Sequence, residues 1–130
     1  MASWGEVQSF LEKAYSVQKK DGDLWTGTIS YDDGRSQVVG FQKKTTQNGK
    51  VWLTIDSPVG EIKSSDNLSK AMDFLFSGAC GGLVKSGNVY FIRHGMLIDD
   101  VSADEIEYPV STICAVADLL EEKLVGGDKW

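Results

Sequence analysis

The only histidine of the chain lies in a stretch that carries several side chains able to do chemistry. The stretch is GGLVKSGNVYFIRHGMLIDDVS, residues 81–102, and it places His94 directly after Arg93. A histidine that acts as a general base needs a nucleophile and an orienting group within hydrogen-bonding distance. The generic candidates that the sequence supplies are Asp99, Asp100, Cys80 and Ser86. Because their spacing matches no catalytic motif, the sequence favours a hairpin strand over an active site at His94.

A cluster of acidic residues stands at the predicted start of the last helix. Its members are Asp99, Asp100, Asp104, Glu105 and Glu107. Carboxylates at a helix N-terminus interact favourably with the positive end of the helix dipole, which accounts for most of them. The run DDVSADEIE lacks the glycine and the ligand spacing of a calcium loop, so we expect no metal site. Attraction of a basic peptide is the alternative role for this cluster.

The two cysteines, Cys80 and Cys114, are too few for a disulfide framework or for an unaided zinc site. Each has apolar or small neighbours in sequence, and no lysine, arginine or histidine stands close by in sequence to lower the thiol pKa. The sequence therefore predicts that both are small core residues. We expect no cofactor and no catalytic residue.

Composition excludes several classes of protein. The 130 residues suit one domain, residues 1–130, and the net charge of −6 would repel a phosphate backbone, so neither nucleic acid nor an anionic membrane is an expected partner. No apolar run approaches the roughly 20 residues needed to span a bilayer. The start MASWGEVQSFLEKAY has no basic region followed by an apolar stretch, so we expect no secretory signal and a cytoplasmic protein.

The first half of the chain changes from a helical period to a period of two. A capping box of Ser3 and Glu6 begins a helix that we expect to run to about Lys20. Alternating residues predict strands from Leu24, from Ser36 to about Thr45, and over VWLTID, residues 51–56. Asn48-Gly49 is typical of a hairpin turn. The three strands are therefore predicted to form an antiparallel meander that ends near Pro58.

The second half predicts a helix, a hairpin and a last helix. The second helix follows SSDN, and its predicted apolar stripe comprises Leu68, Ala71, Met72, Leu75, Phe76 and Ala79. The turn KSGN joins a short strand near Leu83 to a longer one from Val89 to about Ile98. A second capping box of Ser102 and Glu105 precedes a helix from about Pro109 to Val125, with a loose tail at residues 126–130.

The predicted order of elements is α-β-β-β-α-β-β-α, an α+β fold with five strands in a single antiparallel sheet packed with helices. The first and third helices are predicted to cover one face of this sheet. With this order, its acidic charge and the run GGLVKSGNVYFIRHGMLIDDVSADEIEYPVSTICAVADLLEEKL, the chain resembles the type III secretion chaperone-like superfamily. Within it, the chain is most similar to the bacterial YbjN-type family of sensory transduction regulators. The resemblance covers about Val7 to Leu124.

This resemblance implies a small acidic homodimer that binds extended segments of other proteins and has no catalytic residues. From the residues themselves, Trp52 is predicted to point away from the helices, and Phe74 lies beside the core-facing arc of the second helix. We therefore expect Trp52, Phe74 and Met72 to contact protein partners. Two alternatives remain: a small hydrolase or ligand-binding enzyme that uses His94 with a carboxylate, and an immunity-type inhibitor that binds a basic site.

Overall fold

The order of helices and strands in the folded chain follows the predicted α-β-β-β-α-β-β-α pattern. A computed structural model describes residues 3–19, 24–100 and 102–125. The helices are α1 (Trp4–Tyr15), α2 (Ser65–Phe76) and α3 (Glu107–Leu120). The strands are β1 (Gln18–Lys19), β2 (Leu24–Ser30), β3 (Ser36–Thr45), β4 (Val51–Gly60), β5 (Gly82–Ser86) and β6 (Val89–Leu97). Two 3₁₀ turns, Ile98–Asp100 and Ala103–Ile106, lead into α3, and a π-helical turn, Glu121–Val125, follows it.

All strands pair in one antiparallel sheet, in the order β1-β2-β3-β4-β6-β5. The meander of β2, β3 and β4 confirms the prediction, and the hairpin of β5 and β6 joins the sheet along β4. The sheet has six strands rather than five, because the chain after α1 makes a two-residue strand, β1, against β2.

The helices pack on one face of the sheet, as predicted for the first and third. The buried side chains on that face of the sheet include Val39, Phe41, Leu53, Ile55 and Ile92. The buried core side chains of α1 and α3 that join them are Val7, Leu11, Val110, Ile113, Cys114, Ala117 and Leu120. The two helices and the sheet therefore share one core.

Helix α1 ends five residues earlier than the sequence predicts. Its capping box forms, with the Glu6 amide donating to Ser3 Oγ, but the helix stops at Tyr15 because Ser16 adopts a left-handed backbone conformation. The chain then crosses β2 closely at Gly27, where an added Cβ would lie 3.0 Å from the Tyr15 carbonyl oxygen. Lys20, the predicted end, lies outside the described residues. Pairing at the sheet edge thus replaces the last helical turn.

Strand β4 continues through Pro58, so the prediction that the proline ends it is wrong. The backbone ladder between β3 and β4 ends at the pair of Gly40 and Asp56, and beyond it β4 is bonded mainly to β6. Side chains replace the ladder there. Gln37 Nε2 donates to Ser57 Oγ at 2.9 Å and to the Pro58 carbonyl at 2.8 Å. A residue without an amide hydrogen is tolerated because no ladder bond to β3 is required at that position.

Two expectations for the later helices need correction. Ser102 Oγ donates to the Glu105 carboxylate instead of accepting from its backbone amide, so the predicted second capping box does not form. The α-helical part of α3 begins at Glu107 and gives way to the π-helical turn at Glu121. The predicted tail, residues 126–130, lies outside the described residues.

Helix α2 is rotated relative to its predicted apolar stripe. Ala71 is buried, and Leu68, Phe74 and Leu75 pack against the core. Met72 and Phe76, predicted to face inward, are 58% and 92% exposed. Because α2 packs beside β5 at the edge of the sheet, it buries only a narrow arc of its surface, and both residues lie outside that arc.

Candidate functional site

His94 lies in β6 on the helix-covered face of the sheet, opposite Ile55 of β4. Its ring is half-buried, and Nδ1 lies 3.5 Å from Cys80 Sγ. Within the described part of the chain, the ring has no carboxylate at hydrogen-bonding distance. The hydrolase alternative requires such a carboxylate, and a thiol occupies that place instead. His94 thus belongs to a hairpin strand, as the sequence predicts.

The two thiols lie in different surroundings, and both are protonated near neutral pH. Burial raises the pKa of Cys80, which is half-buried after α2. Burial also raises the pKa of Cys114 to about 11, against the opposing effect of a hydrogen bond with Ser57. Cys114 is a core residue, as predicted, whereas Cys80 is partly accessible at the end of α2.

The acidic cluster before α3 is spread over the surface. Asp99 lies 3.7 Å from Lys50 Nζ, and the Glu105 carboxylate accepts from Ser102. Asp104 and Glu107 are exposed, and the Asp100 side chain is not described. Among the described residues, no group of three or more His, Cys, Asp or Glu side chains is arranged to hold a metal ion.

The face of the sheet opposite the helices, here called the open face, carries an ion pair at its centre. Arg93 of β6 donates through Nε and Nη2 to both oxygens of Asp56 on β4, at 2.6 and 2.8 Å. These hydrogen bonds raise the pKa of the Arg93 guanidinium. The strand register places Thr26 and Gly40 on one side of the pair and Gly82 on the other. The ion pair therefore has small residues on both sides of it in this row, on β2, β3 and β5.

Beside this row runs a set of half-buried or buried apolar side chains. Phe91 of β6 lies between Pro58 of β4 and Val84 of β5 in the register, and Val38 and Leu24 continue the apolar surface across β3 and β2. With the ion pair they line a groove of about 370 Å³, here called the sheet groove. Apolar walls with a few fixed polar groups are the usual composition of a binding site.

Trp52 lies on the open face, as predicted, but beside the sheet groove rather than in its lining. A Cβ atom added to Gly95 of β6 would lie 3.9 Å from Trp52 Cε3. The indole therefore lies over the neighbouring strand at a glycine, which leaves the ring half-buried. Trp52 extends the apolar surface at one end of the open face.

Of the residues predicted to contact partners, the structure brings none together with another in one site. Met72 is exposed on α2, whereas Phe74 packs against the core with Lys123 Nζ 5.9 Å from its ring centre. Phe76, rather than Phe74, is the phenylalanine of α2 that is exposed to solvent.

Sequence reasoning missed the ion pair of Asp56 and Arg93. The alternation of β4 places Asp56 on the same face as Trp52, and this part of the pattern is visible in the sequence. The pairing of β4 with β6 is not visible, because strand order and register depend on long-range contacts. Gly40, which leaves room for the sheet groove, gives no sequence signal beyond an interrupted apolar alternation.

Neither the protein-family models nor the curated proteins compared with this sequence give a match. No helix in the described part of the chain combines the length and the apolar character needed to cross a membrane.

Proposed function

We propose that this protein is a non-enzymatic binding module, secretion chaperone-like or regulatory, that holds an extended segment of another protein and acts as a homodimer. The observation that carries this proposal is the sheet groove, where Leu24, Val38, Pro58, Val84 and Phe91 surround a compensated ion pair. The resemblance stated above supports it, since members of that superfamily bind extended protein segments as homodimers.

The size and lining of the sheet groove favour a short segment over a folded domain. A volume of about 370 Å³ is near the lower end of ligand sites, so it accommodates a few side chains at most. The apolar walls favour hydrophobic side chains in the segment. Thr26, Gln42 and Ser86 line the same groove and offer hydrogen bonds for the backbone of an extended chain.

The dimer contact that we propose is the outward side of α2. Met72 and Phe76 are four residues apart on the helix, so they lie on one face one turn apart. Phe76 is 92% exposed, and a phenyl ring in that position gains free energy when a second copy covers it. A two-fold contact needs only one such self-complementary patch.

A display selection with a counter-selection tests the binding site. The Gly40→Val substitution would fill part of the sheet groove, because Gly40 lines it. The fold is expected to accept the new side chain, since an added Cβ meets Leu24 Cδ1 at 3.7 Å and Asp56 O at 3.9 Å, which are ordinary contacts. Peptides selected from a random library on the wild-type protein are expected to lose binding to Gly40→Val. Thr28→Val is the matched control, since Thr28 faces the same side outside the groove. Equal binding to all three proteins would place the site elsewhere.

Sedimentation equilibrium tests the dimer. The wild-type protein is expected to have twice the 14.2 kDa mass of one chain. The Phe76→Ser variant is expected to have the mass of one chain. Tyr108→Ser is the matched control, because Tyr108 is an exposed aromatic residue on α3, 77% exposed. A wild-type mass of one chain, or a dimer that persists in both Phe76→Ser and Met72→Ser, would contradict the proposed contact.

A further inference from the structure

The two arginines that hold carboxylates in this protein use their hydrogen-bond donors to different extents. Arg35 contacts three carboxylates: Nε lies 2.9 Å from Asp33, Nη2 lies 2.8 Å from Asp118, and Nη1 lies 3.1 Å from Glu122. Arg93 contacts one carboxylate, that of Asp56, through Nε and Nη2. Because a guanidinium has five N–H donors, Arg93 has donors left on Nη1 that no described residue accepts.

The unused donors of Arg93 belong to a group that lines the sheet groove. The Arg93 side chain is about one third exposed, at 34%, so it is reachable from solvent yet partly removed from it. Gly40 and Gly82 on either side of the ion pair carry no side chain that could block the approach. A ligand lying in the groove would thus contact Arg93 next to the apolar row of Pro58 and Phe91.

The free donors of Arg93 favour a ligand group that accepts hydrogen bonds. The charged lining residues are Asp56, Lys85 and Arg93; Asp56 and Arg93 pair with each other, and the Lys85 ammonium lies 5.7 Å from the centre of the Tyr90 ring, on the other face of the sheet. Repulsion from Asp56 does not exclude a second carboxylate, since the Arg35 guanidinium holds three of them together. Hydrogen bonds between a guanidinium and a carboxylate are among the stronger ones in proteins.

We propose that the sheet groove recognises the C-terminal end of a protein segment, with Arg93 Nη1 donating to the terminal carboxylate and the last apolar side chains packing on Pro58, Phe91 and Val84. This inference rests on the proposed function and names the end of the chain that the site takes. A chain end with apolar side chains supplies a free carboxylate that matches the donors of Arg93. It also supplies a hydrophobic surface that matches the apolar wall of the groove.

A pool of peptides made in two forms tests the inference. The pool has six-residue peptides whose last three positions vary over Val, Leu, Ile and Phe, prepared either as free acids or as C-terminal amides. Each form is passed over immobilised protein, and the retained peptides are quantified by mass spectrometry. The wild-type protein is expected to retain the free acids at least about tenfold more than the amides, the ratio that one hydrogen bond to a charged group provides.

The double variant Asp56→Asn, Arg93→Gln removes both charges together, so it leaves neither partner as an isolated ion on the sheet. It is expected to retain acids and amides equally, and added salt is expected to reduce the preference of the wild-type protein. A preference that persists in the double variant would overturn the role of Arg93. Equal retention of both forms by the wild-type protein, lost in Gly40→Val, would overturn this inference and leave the proposed function standing. Failure of the free acids to bind at all would also overturn it, and the proposed function would then depend on the library selection.

Discussion

Single side chains complete the sheet where its backbone ladder stops. Gln37 is fully buried at the start of β3, and its amide nitrogen bonds to both Ser57 and the Pro58 carbonyl. Ser57 Oγ in turn donates to the Val38 carbonyl at 2.6 Å. These side-chain bonds hold β3 and β4 together beyond the pair of Gly40 and Asp56. They also support one wall of the sheet groove, to which Val38 and Pro58 belong.

Replacing Gln37 with leucine is expected to lower the free energy of unfolding by about 1–3 kcal/mol, because the buried Pro58 carbonyl loses its donor. Urea denaturation measures the change. Gln42→Leu is the control on the same strand, since Gln42 lies on the open face. Equal losses in the two variants would show that the bonds of Gln37 contribute nothing specific.

Tyr15 connects α1 to the sheet, and its hydroxyl gives the stability of the protein a dependence on alkaline pH. Its ring stacks on Phe41 with a centroid distance of 5.6 Å, and burial raises its pKa to about 12 from 10.0. The unfolded chain therefore loses the phenol proton at lower pH than the folded chain. The stabilisation is complete below pH 10 and is lost as the pH rises toward 12.

The Tyr15→Phe variant removes this titration and keeps the ring stacked. Between pH 10 and 12 its free energy of unfolding is expected to fall less steeply than that of the wild-type protein. Chemical denaturation at a series of pH values measures the two slopes. Parallel slopes over this range would show that Tyr15 has the same pKa in both states.

Three elements meet at Arg35. The turn between β2 and β3 supplies Arg35 and Asp33, α3 supplies Asp118, and the π-helical turn supplies Glu122. The Arg35 backbone amide donates a hydrogen bond to the Asp33 carboxylate. This bond is the main cause of the lowered pKa of Asp33. The Asp118 side chain is only 9% exposed, so its contact with the guanidinium is the best shielded from water. This cluster fixes the C-terminal end of α3 to the sheet.

Arg35→Gln is expected to lower the free energy of unfolding, because the buried Asp118 carboxylate loses a charged partner. Thermal denaturation at neutral pH provides the measurement. Asp33→Asn is the control, since Asp33 is exposed and an ion pair at an exposed position contributes little to stability. An Arg35→Gln protein as stable as the wild type would mean that the turn and α3 are held by other contacts.

At the level of elements, local sequence patterns predicted most of the fold. They failed where contacts between residues far apart in sequence determine the structure. The alternation of β2 and β3, the KSGN turn before β6 and the Asn48-Gly49 turn are local, and the structure confirms them. Pro58 stays within β4 because Gln37, 21 residues away in sequence, replaces the ladder bond. The orientation of α2 depends on which arc meets β5 and the core. Both the ion pair and the groove depend on register, which no local pattern contains.

For the whole molecule, the proposed homodimer gives thermal stability a dependence on protein concentration. Assembly stabilises the folded state by mass action, so the melting temperature is expected to rise over a roughly hundredfold increase in concentration. Phe76→Ser is expected to flatten this dependence, whereas Tyr108→Ser is expected to keep it. Differential scanning calorimetry measures all three proteins. A wild-type melting temperature that does not change with concentration would argue for a monomer.

The edge strand β5 has a consequence for solubility. β5 is the last strand in the sheet order, so its outer side has no neighbouring strand in the described part of the chain. An unpaired edge can join the same edge of another molecule and begin aggregation. β5 has only five residues, and Lys85, whose ammonium lies 5.7 Å from the centre of the Tyr90 ring, places a positive charge on it. A short, charged edge resists the addition of further strands, so acetylation of Lys85 would remove one barrier to fibril growth at high protein concentration.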